Sequence, residues 1–312
     1  MSISTPKRTF DDFIGNKQAV DKLKLFIDDG NLPHMGFFGP SGHGKTKLAG
    51  ILSDEVERHF CYVNSVAVKS PMIFRGLITH PDNCKRGAIV LLDECHRLPK
   101  SIQDSLLSVL EQPAVLVTSY KDQIMRDYLP SNITFIFATT HSGYLNEAIL
   151  SRLEPIEFVE YTPQEKQKMV MRYLAREHKF NPSNLTVDGI YEIAFRARSG
   201  RDVVRYTDNI LRYMRQNNEE KLTKEVAIKV FDMFGIDANG LMTTDRSLLN
   251  YLSGSGSVGL DTLEAFLHVS KKEIKDKVEP FLLRKGFIMR QASGRMITPL
   301  GLKALSGERV VV

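Results

Sequence analysis

Long apolar segments and paired cysteines are missing from this sequence. No run of 18 or more apolar residues occurs, and the start MSISTPKRTFDDF lacks the basic-then-apolar pattern of a signal peptide. We therefore expect a cytoplasmic protein that does not act at a membrane. The three cysteines, Cys61, Cys84 and Cys95, have no C-x-x-C spacing. An odd count without a secretory signal argues against a disulfide framework or a zinc site and predicts buried reduced thiols.

Internal repeats and low-complexity segments are also absent, and the composition is ordinary. The 312 residues are about twice the usual size of one domain, so two or three domains are expected. A hydrophobic fraction of 42% and a charged fraction of 25% are typical of soluble globular proteins and argue against large-scale disorder. The net charge of +5 permits nucleic-acid binding without identifying it.

The spacing of apolar residues changes along the chain. From Phe10 to about Glu160, short apolar runs alternate with amphipathic stretches, which is typical of a mostly parallel sheet flanked by helices. The runs are HMGFFGPSG, FCYVNS, AIVLLDE and ITFIFATT. From Thr162 to about Phe234, apolar residues recur at three- and four-residue spacing and predict four helices.

A boundary between domains is marked by GIDANGLMTT, which contains two glycines and an asparagine. Beyond it, three helical segments and a hairpin resemble a winged helix-turn-helix. We predict three domains: an α/β domain over residues 1–160, which the motifs described next identify as an ATPase domain with residues 161–239 as its small helical lid, and a winged-helix domain over 240–312.

The segment GPSGHGKT, residues 39–46, matches the phosphate-binding pattern G-x-x-x-x-G-K-[ST]. It stands between an apolar strand and an amphipathic helix, as the chemistry requires. Glycines let backbone N–H groups approach phosphates, and the following helix N-terminus favours negative charge. Lys45 is predicted to bridge the β- and γ-phosphates of ATP and Thr46 to ligate Mg²⁺. A chance glycine turn is the weaker alternative.

The segment LLDECHRLPK, residues 91–100, places two acids at the end of an apolar strand. In a phosphate-loop fold, Asp93 would hold Mg²⁺ and Glu94 would orient the attacking water. The same D-E-x-H spelling occurs in superfamily 2 helicases, but those carry a second ATPase-like lobe where this chain has small helices. His96 is therefore interpreted as a structural or coupling residue.

Further polar candidates follow the strand ITFIFATT. Thr139 and Thr140 end this strand, where a hydroxyl could sense the γ-phosphate. Arg152 stands about a dozen residues later and has two interpretations. It is either an arginine finger that reaches the nucleotide of a neighbouring subunit in a ring, or a surface arginine paired with Glu154.

Two groups of basic residues lie in the rest of the chain. Arg201 and Arg205 are four residues apart, hence on one helix face, and either is a candidate for contacting nucleotide phosphates. A glycine-containing hairpin near the C-terminus carries Arg290 and Arg295, next to Arg284 and Lys285. Basic hairpins of winged helices contact DNA phosphates, whereas solubility alone would explain scattered charges.

These motifs together resemble the RuvB family, the AAA+ motors that drive branch migration of Holliday junctions. The likeness runs from FDDFIGN through the glycine loop, LLDECHRL, ATT and EYTPQE to VGLDTLEAFL, EPFLLRKGFIMR and ASGRMITPLG. It covers nearly the whole chain, and the C-terminal phrases are specific to RuvB.

The resemblance implies a role for each matching position. Lys45 and Glu94 would be catalytic, with Asp93 and Arg152 completing the site. Thr46 and Asp93 would hold Mg²⁺, and Arg290 and Arg295 would contact DNA. The residues implied in ATP binding are Phe13, Ile14, Gly39, Gly42, Gly44, Lys45, Thr46, Lys47, Thr140, Tyr161 and Arg201.

Three positions depart from the family pattern. Leu150 stands where RuvB proteins usually have the first of two arginines near the finger. The lid pattern G-T-P-R reads RSGR here, so Arg201 is preferred to Arg205 without being decided. Residues 112–131, where the family has a hairpin that binds its partner RuvA, are slightly shorter and lack a glycine-rich tip.

The sequence thus predicts an ATP- and Mg²⁺-dependent motor that assembles into a ring, expected to be a hexamer, and translocates the duplex arms of a four-way DNA junction. A RuvA-like partner would bind through residues 112–131. A clamp-loader-like or helicase-loader ATPase shares the ATPase motifs and is the nearest alternative. A nucleotide-gated DNA-binding regulator is an alternative of another class.

Overall fold

The computed structural model describes residues 7–111, 113–120, 123–178 and 180–311. The chain forms two compact units, Met1–Thr162 and Pro163–Val312. The domain boundaries at residues 160 and 239 stay predictions.

The N-terminal unit is built on a five-stranded sheet in the order β2-β3-β6-β1-β7, and every adjacent pair is parallel. Four of its strands were predicted from apolar runs, whereas β7, whose sequence is EPIE, was missed. The strands of this sheet are β1 (Met35–Phe38), β2 (His59–Asn64), β3 (Ala88–Asp93), β6 (Ile133–Thr139) and β7 (Glu154–Glu157).

Helices pack on both faces of this sheet, so its inner strands are apolar on both sides. Along β3, Val90 and Leu92 belong to one core cluster, while Ile89 and Leu91 belong to the other. Burial on both faces explains the uninterrupted apolar run AIVLL. The helices of this unit are α1 (Lys17–Asp28), α2 (Lys45–Glu55), α3 (Pro71–Ile78), α4 (Pro81–Arg86), α5 (Lys100–Leu107) and α6 (Glu147–Leu150).

A separate antiparallel hairpin consists of β4 (Val115–Tyr120) and β5 (Gln123–Tyr128). Arg75 of α3 bonds the carboxylate of Asp127 on β5 through Nε and Nη2, at 2.6 and 2.7 Å. This bidentate pair fixes the base of the hairpin against α3. Residues 121 and 122, between the strands, and residue 112 lie outside the described part.

The C-terminal unit begins with the predicted four helices. They are α7 (Pro163–Glu177), α8 (Val187–Arg196), α9 (Gly200–Asn217) and α10 (Lys224–Met233). The last three start after a residue whose hydroxyl accepts a backbone N–H of the first turn, namely Thr186, Ser199 and Thr223. Their apolar faces form one core cluster.

The remainder of this unit has a second core and the expected winged-helix elements. A π-helical turn, Ile274–Val278, separates α13 from α14. The elements are α11 (Thr243–Ser255), α12 (Leu260–Leu267), α13 (Lys271–Glu273), α14 (Glu279–Arg284), β8 (Ile288–Gln291), β9 (Gly294–Ile297) and α15 (Pro299–Leu305).

The structure describes two of the three cysteine side chains, which were predicted to be buried reduced thiols. Cys95 is buried and Cys61 half-buried, and both are free thiols, while the side chain of Cys84 lies outside the described part. Burial raises the pKa of both described thiols. None of the described helices has the length and apolar character needed to span a bilayer.

Candidate nucleotide site and DNA-binding surface

Three neighbouring strands bring the predicted ATPase residues to one edge of the sheet. The order β3-β6-β1 is parallel, so the carboxyl ends of these strands lie side by side. Asp93 ends β3, Thr139 ends β6, and Gly39 follows β1. Ligands of open α/β sheets bind at this edge, so the two sequence motifs converge where a nucleotide would bind.

The glycine loop is tightly enclosed by neighbouring residues. Gly39 has φ +145°, and a Cβ there would lie 2.2 Å from the carbonyl oxygen of Phe158. Gly44 has φ +93°, and a Cβ there would lie 2.6 Å from the hydroxyl of Tyr161 and 2.7 Å from the Phe13 ring. Side chains are therefore excluded at both positions. The packing also places Phe13 and Tyr161, two residues implied by the family resemblance, directly against the loop.

Lys45 is the first residue of α2 and is 7% exposed. Its Nζ donates to the carbonyl oxygens of Gly39 and Pro40, at 2.7 and 2.9 Å. The ammonium group is thus held across the glycine loop rather than directed to bulk solvent. Thr46 follows as a half-buried residue and Lys47 as an exposed one.

Asn16, outside the glycine loop, and His43, within it, make further contacts at the loop and were not identified from sequence. Asn16 accepts the N–H of Val159 through Oδ1 at 2.7 Å. The carbonyl oxygen of His43 accepts the Tyr161 hydroxyl at 2.8 Å, and the two rings stack with centroids 5.3 Å apart. These bonds join distant parts of the unit, so no local sequence signal reveals them. Ile14 is half-buried beside Phe13 in the sequence.

The two acids after β3 have different surroundings. Asp93 accepts a hydrogen bond from the Tyr62 hydroxyl at 3.0 Å and one from the backbone N–H of Glu94 at 3.2 Å. Glu94 has a left-handed backbone with φ 51°, a conformation uncommon outside glycine and asparagine. This conformation turns the chain sharply after the strand.

His96 lies between Glu94, which follows β3, and the end of the neighbouring strand β6. Its Nδ1 lies 2.8 Å from the Thr139 hydroxyl and 3.4 Å from Oε2 of Glu94. The Thr139 hydroxyl also accepts the backbone N–H of His141 at 2.9 Å. The Thr140 hydroxyl pairs instead with Nδ1 of His141 at 2.8 Å and is the more exposed of the two. This geometry agrees with a coupling role for His96.

The residues at this edge fit ATP and Mg²⁺. The enclosed glycine loop and the adjacent ammonium group of Lys45 suit phosphates, and a carboxylate with a nearby threonine hydroxyl suits a hard cation. Among the described residues, no group of three or more His, Cys, Asp or Glu could hold a metal ion. A magnesium site of the phosphate-loop type needs no such group, because the phosphates supply part of the ligand set.

Arg152 is an exposed residue with a partner that sequence reasoning did not identify. Its Nε and Nη2 bond Oε1 of Glu111, at 3.2 and 2.7 Å, and its Nη1 bonds the carbonyl oxygen of Ala148 at 2.7 Å. The alternative pairing with Glu154 is wrong, because Glu154 pairs with Lys22 at 3.5 Å. The Arg152 side chain is 35% exposed.

Leu150, which replaces the usual first arginine, is half-buried against the core of the N-terminal unit. An apolar side chain at this position therefore contributes to packing and adds no charge beside Arg152.

Arg201 and Arg205 both lie in the first turns of α9. Arg205 donates from Nη2 to Asp202 at 2.7 Å, and its side chain is 53% exposed. Its guanidinium also lies 4.9 Å from the Tyr206 ring centroid. Arg205 thus makes local contacts with its own helix, and the preference for Arg201 as the lid arginine stays a prediction.

The two predicted DNA-contacting arginines lie opposite each other in the C-terminal hairpin. Arg290 of β8 pairs with Arg295 of β9 in the antiparallel register. Both bond the carboxylate of Glu279, a residue with a fully buried side chain. Arg290 is 53% exposed, whereas Arg295 is 14% exposed. Sequence reasoning found both arginines but not their shared acid.

Comparison with known proteins matches both ends of the chain to one family. Residues 5–159 match the P-loop domain of the Holliday junction DNA helicase RuvB, and residues 238–306 match the RuvB C-terminal winged helix domain. The fold class is therefore confirmed as an α/β P-loop ATPase domain joined to a winged helix.

Whole-length relatives agree with these matches. A RuvB subunit of the Holliday junction branch migration complex from Myxococcus xanthus is 31% identical over 313 aligned residues, covering 96% of this chain and 88% of the relative. A second RuvB from Synechococcus sp. is 30% identical, with 96% and 82% covered. The structure of the Thermotoga maritima RuvB branch migration motor superposes with a TM-score of 0.82 at 27% identity, covering 96% of this chain and 97% of that one. The chain belongs to the RuvB family.

Proposed function

We propose that this protein is an ATP-driven DNA motor that promotes branch migration of Holliday junctions in recombination and repair. The observation that carries the proposal is the edge of the parallel sheet where the glycine loop, Lys45, Asp93 and Glu94 converge, in a chain that also has a winged helix. Relatives that span nearly the whole chain are named as subunits of the Holliday junction branch migration complex. The family assignment favours the motor over a clamp loader.

The proposed hydrolysis uses the edge residues in separate roles. Lys45 binds the β- and γ-phosphates while the backbone of the glycine loop surrounds them. Thr46 and Asp93 would hold Mg²⁺, which would supply positive charge beside the phosphates. Glu94 orients the attacking water, and the His96 ring, which is bonded to Thr139 of β6, lies beside Glu94. Thr140, at the end of β6, is proposed to sense the γ-phosphate.

The base of the nucleotide is proposed to bind beside Phe13, Ile14 and Tyr161. The contacts of Phe13 and Tyr161 with Gly44 support this role, because they place both rings at the start of the phosphate-binding helix. Gly42 and Lys47 complete the loop and the first turn of α2.

Arg152 is proposed to act on the nucleotide of a neighbouring subunit in a ring, expected to be a hexamer. Its exposure and that of its partner Glu111, which is 59% exposed, support this role. An exposed ion pair contributes only about 0–1 kcal/mol, so the guanidinium can exchange Glu111 for phosphate at small cost.

The β4–β5 hairpin is proposed to bind a RuvA-like partner. Its outer strand β5 exposes Ile124 and Tyr128, with 68% and 75% of each residue accessible. Exposed large apolar side chains on a hairpin held at its base by Arg75 and Asp127 are suited to an interface. Ile124→Asp should abolish binding of a RuvA protein in a pull-down with purified components, while ATP hydrolysis without DNA persists.

The proposed activity is tested by measuring phosphate release with and without a four-way DNA junction. We expect DNA-stimulated hydrolysis by the wild-type chain. Glu94→Gln should bind ATP but reduce hydrolysis by a factor of roughly 10²–10⁴, the range for a lost general base. A wild-type chain that binds ATP and DNA without releasing phosphate would instead be a nucleotide-gated regulator.

A further inference from the structure

Glu279 is a buried acid at the centre of the C-terminal hairpin's charge cluster. Its side chain has no exposed surface, and it directly follows the π-helical turn. Arg290 donates to Oε2 from Nη2 and Nε, at 2.6 and 3.1 Å. Arg295 donates from Nε to Oε1 and from Nη2 to Oε2, the latter at 3.3 Å. One carboxylate therefore accepts four hydrogen bonds from two guanidinium groups.

The position of the two arginines explains why such an acid is needed. Arg290 and Arg295 are directly opposite each other in the antiparallel register, where like charges repel. Burial raises the pKa of Glu279, but the hydrogen bonds and charges of Arg295 and Arg290 outweigh it and keep the pKa below its ordinary value. The carboxylate is therefore ionised at neutral pH and offsets the repulsion.

The two arginines are not equivalent in this arrangement. Arg290 keeps 53% of its side chain exposed, whereas Arg295 keeps 14%. The Nε and Nη2 edge of Arg290 is bonded to Glu279, so its other edge, at Nη1 and Nη2, is the one directed to a ligand outside. A guanidinium has five donors, which allows it to bind a carboxylate and a phosphate together.

We propose that Glu279 is a positioning residue that aims Arg290 at a DNA phosphate, and that Arg295 acts through Glu279 rather than on DNA. The proposal rests on the proposed function, because it assumes that the hairpin contacts DNA. It assigns the two arginines different roles, and it gives a buried acid a role in binding a polyanion.

The sign of the effect of Glu279→Gln is the most direct test. Gln removes a negative charge, so a role limited to charge predicts tighter DNA binding. Positioning predicts weaker binding, by at least roughly threefold. The single carbonyl oxygen of an amide cannot accept the hydrogen bonds of both guanidinium groups, so Arg290 is no longer held toward DNA and its phosphate contact is lost. Affinity is measured with a fluorescent four-way junction from 50 to 200 mM salt, on the full-length protein, with thermal unfolding as the fold readout.

Arginine variants separate the two roles. Arg290→Ala should weaken binding roughly fivefold and reduce the salt slope by about one. Arg205→Ala, with the same loss of charge and the same 53% exposure, is the matched control and should retain the slope. Arg295→Ala should lower the unfolding temperature more than Arg290→Ala and reduce affinity only to the level of Glu279→Gln. In the Arg290→Ala background, Glu279→Gln should cause no further loss.

A lysine variant keeps the test decisive if Glu279→Gln does not fold. Arg290→Lys retains the charge but cannot form the bidentate bond to Glu279, so positioning predicts binding nearly as weak as that of Arg290→Ala. Wild-type affinity of Arg290→Lys, or unchanged or tighter binding by folded Glu279→Gln, would overturn the proposal while leaving the DNA interface intact. Unchanged affinity and slope in both arginine-to-alanine variants would instead remove the hairpin from the DNA interface.

Discussion

The two units of this protein differ in the partners of their most buried charged side chains. In the N-terminal unit, Lys45 bonds two backbone carbonyls and Asp93 bonds a tyrosine hydroxyl, which are neutral partners. In the C-terminal unit, arginines bond buried acids. The pairs are Arg196 and Arg309 with Glu192, Arg198 with Asp245, and Arg290 and Arg295 with Glu279.

The difference distinguishes charged side chains that are proposed to bind a ligand from charged side chains that stabilise the fold. If Lys45 exchanges a backbone carbonyl for phosphate, or Asp93 exchanges a tyrosine hydroxyl for a cation, the partner that is released is neutral and no unpaired charge is left behind. An arginine on a buried carboxylate cannot exchange its partner in this way, because its loss leaves that carboxylate desolvated and unpaired. Arg290 combines the two uses, since it is paired with Glu279 and half-exposed.

Removing the proposed finger should have the largest effect. We expect Arg152→Ala to bind ATP but to hydrolyse it about 10³-fold more slowly, because an arginine finger is worth at least that factor. Steady-state phosphate release in the presence of DNA measures the change. Glu111→Gln is the control, since it breaks the ion pair and keeps the arginine; its hydrolysis should remain near wild type. Near-normal turnover by Arg152→Ala would remove Arg152 from the site.

Removing a buried acid should destabilise the C-terminal unit next most strongly. Glu192 is 1% exposed and bonds Arg196 and Arg309 at 3.1 and 2.6 Å. Glu192→Ala leaves buried positive charge uncompensated and should cost about 3–5 kcal/mol of unfolding free energy. Hydrogen exchange resolved by peptide should show faster exchange in residues 163–312 and no change in the N-terminal unit.

The exposed pair provides the matched comparison for that experiment. Glu111→Ala also removes an acid from an arginine, but the pair is solvent-exposed, so the cost should stay below about 1 kcal/mol. Equal destabilisation by the two substitutions would contradict the distinction between the units.

The two units should also respond to acid at different pH. Burial lowers the pKa of His34 to about 4, and its Nδ1 accepts the N–H of Phe135 at 3.1 Å. Because the folded pKa lies below the unfolded value near 6.5, this contribution is complete above about pH 6.5 and is lost as the pH falls toward 4. A pKa difference of this size corresponds to about 3 kcal/mol.

The buried acids of the C-terminal unit titrate lower. For Glu192 and Glu279 burial raises the pKa, but arginine contacts outweigh it, and both pKa values stay below the ordinary one. Their contribution is present above about pH 4.3 and is lost only as the pH falls further. As the pH falls from 7 to 4.5, protection from hydrogen exchange, corrected for the pH dependence of the intrinsic exchange rate, should therefore decrease first in the N-terminal unit. His34→Asn, which can still accept the Phe135 N–H, should remove that early loss.

The smallest expected effect concerns Arg205. Its exposed pair with Asp202 lies within one helix, so Arg205→Ala should change the unfolding free energy by less than about 0.5 kcal/mol. Hydrolysis should remain at the wild-type level, whereas Arg201→Ala should reduce it measurably if Arg201 is the lid arginine. Reduced hydrolysis in Arg205→Ala with normal Arg201→Ala would reverse the assignment.

The features predicted from the sequence are those that are encoded locally. The glycine loop, the two acids after β3 and the apolar strands each lie within about ten consecutive residues, so pattern and order sufficed. The strand β7 was missed because its four residues, EPIE, have only one buried apolar side chain, Ile156.

The partners of charged residues could not be predicted because they are set by tertiary structure. Arg152 was paired in the alternative hypothesis with Glu154, its neighbour in sequence, but the fold brings it to Glu111, 41 residues away. Glu279 reads as an ordinary helix-start acid before Pro280, and only the hairpin shows that it lies between two arginines. Asn16 and Tyr161 likewise reach His43 of the glycine loop through contacts across the fold.

The most direct test of the proposed motor is ATP-dependent dissociation of a synthetic mobile four-way junction by the purified protein, with Glu94→Gln as control. The account predicts dissociation by the wild-type chain, alone or after addition of a RuvA protein, and none by the variant. Wild-type protein that hydrolyses ATP in a DNA-stimulated manner but leaves the junction intact even with a RuvA protein would contradict the motor and favour a loader.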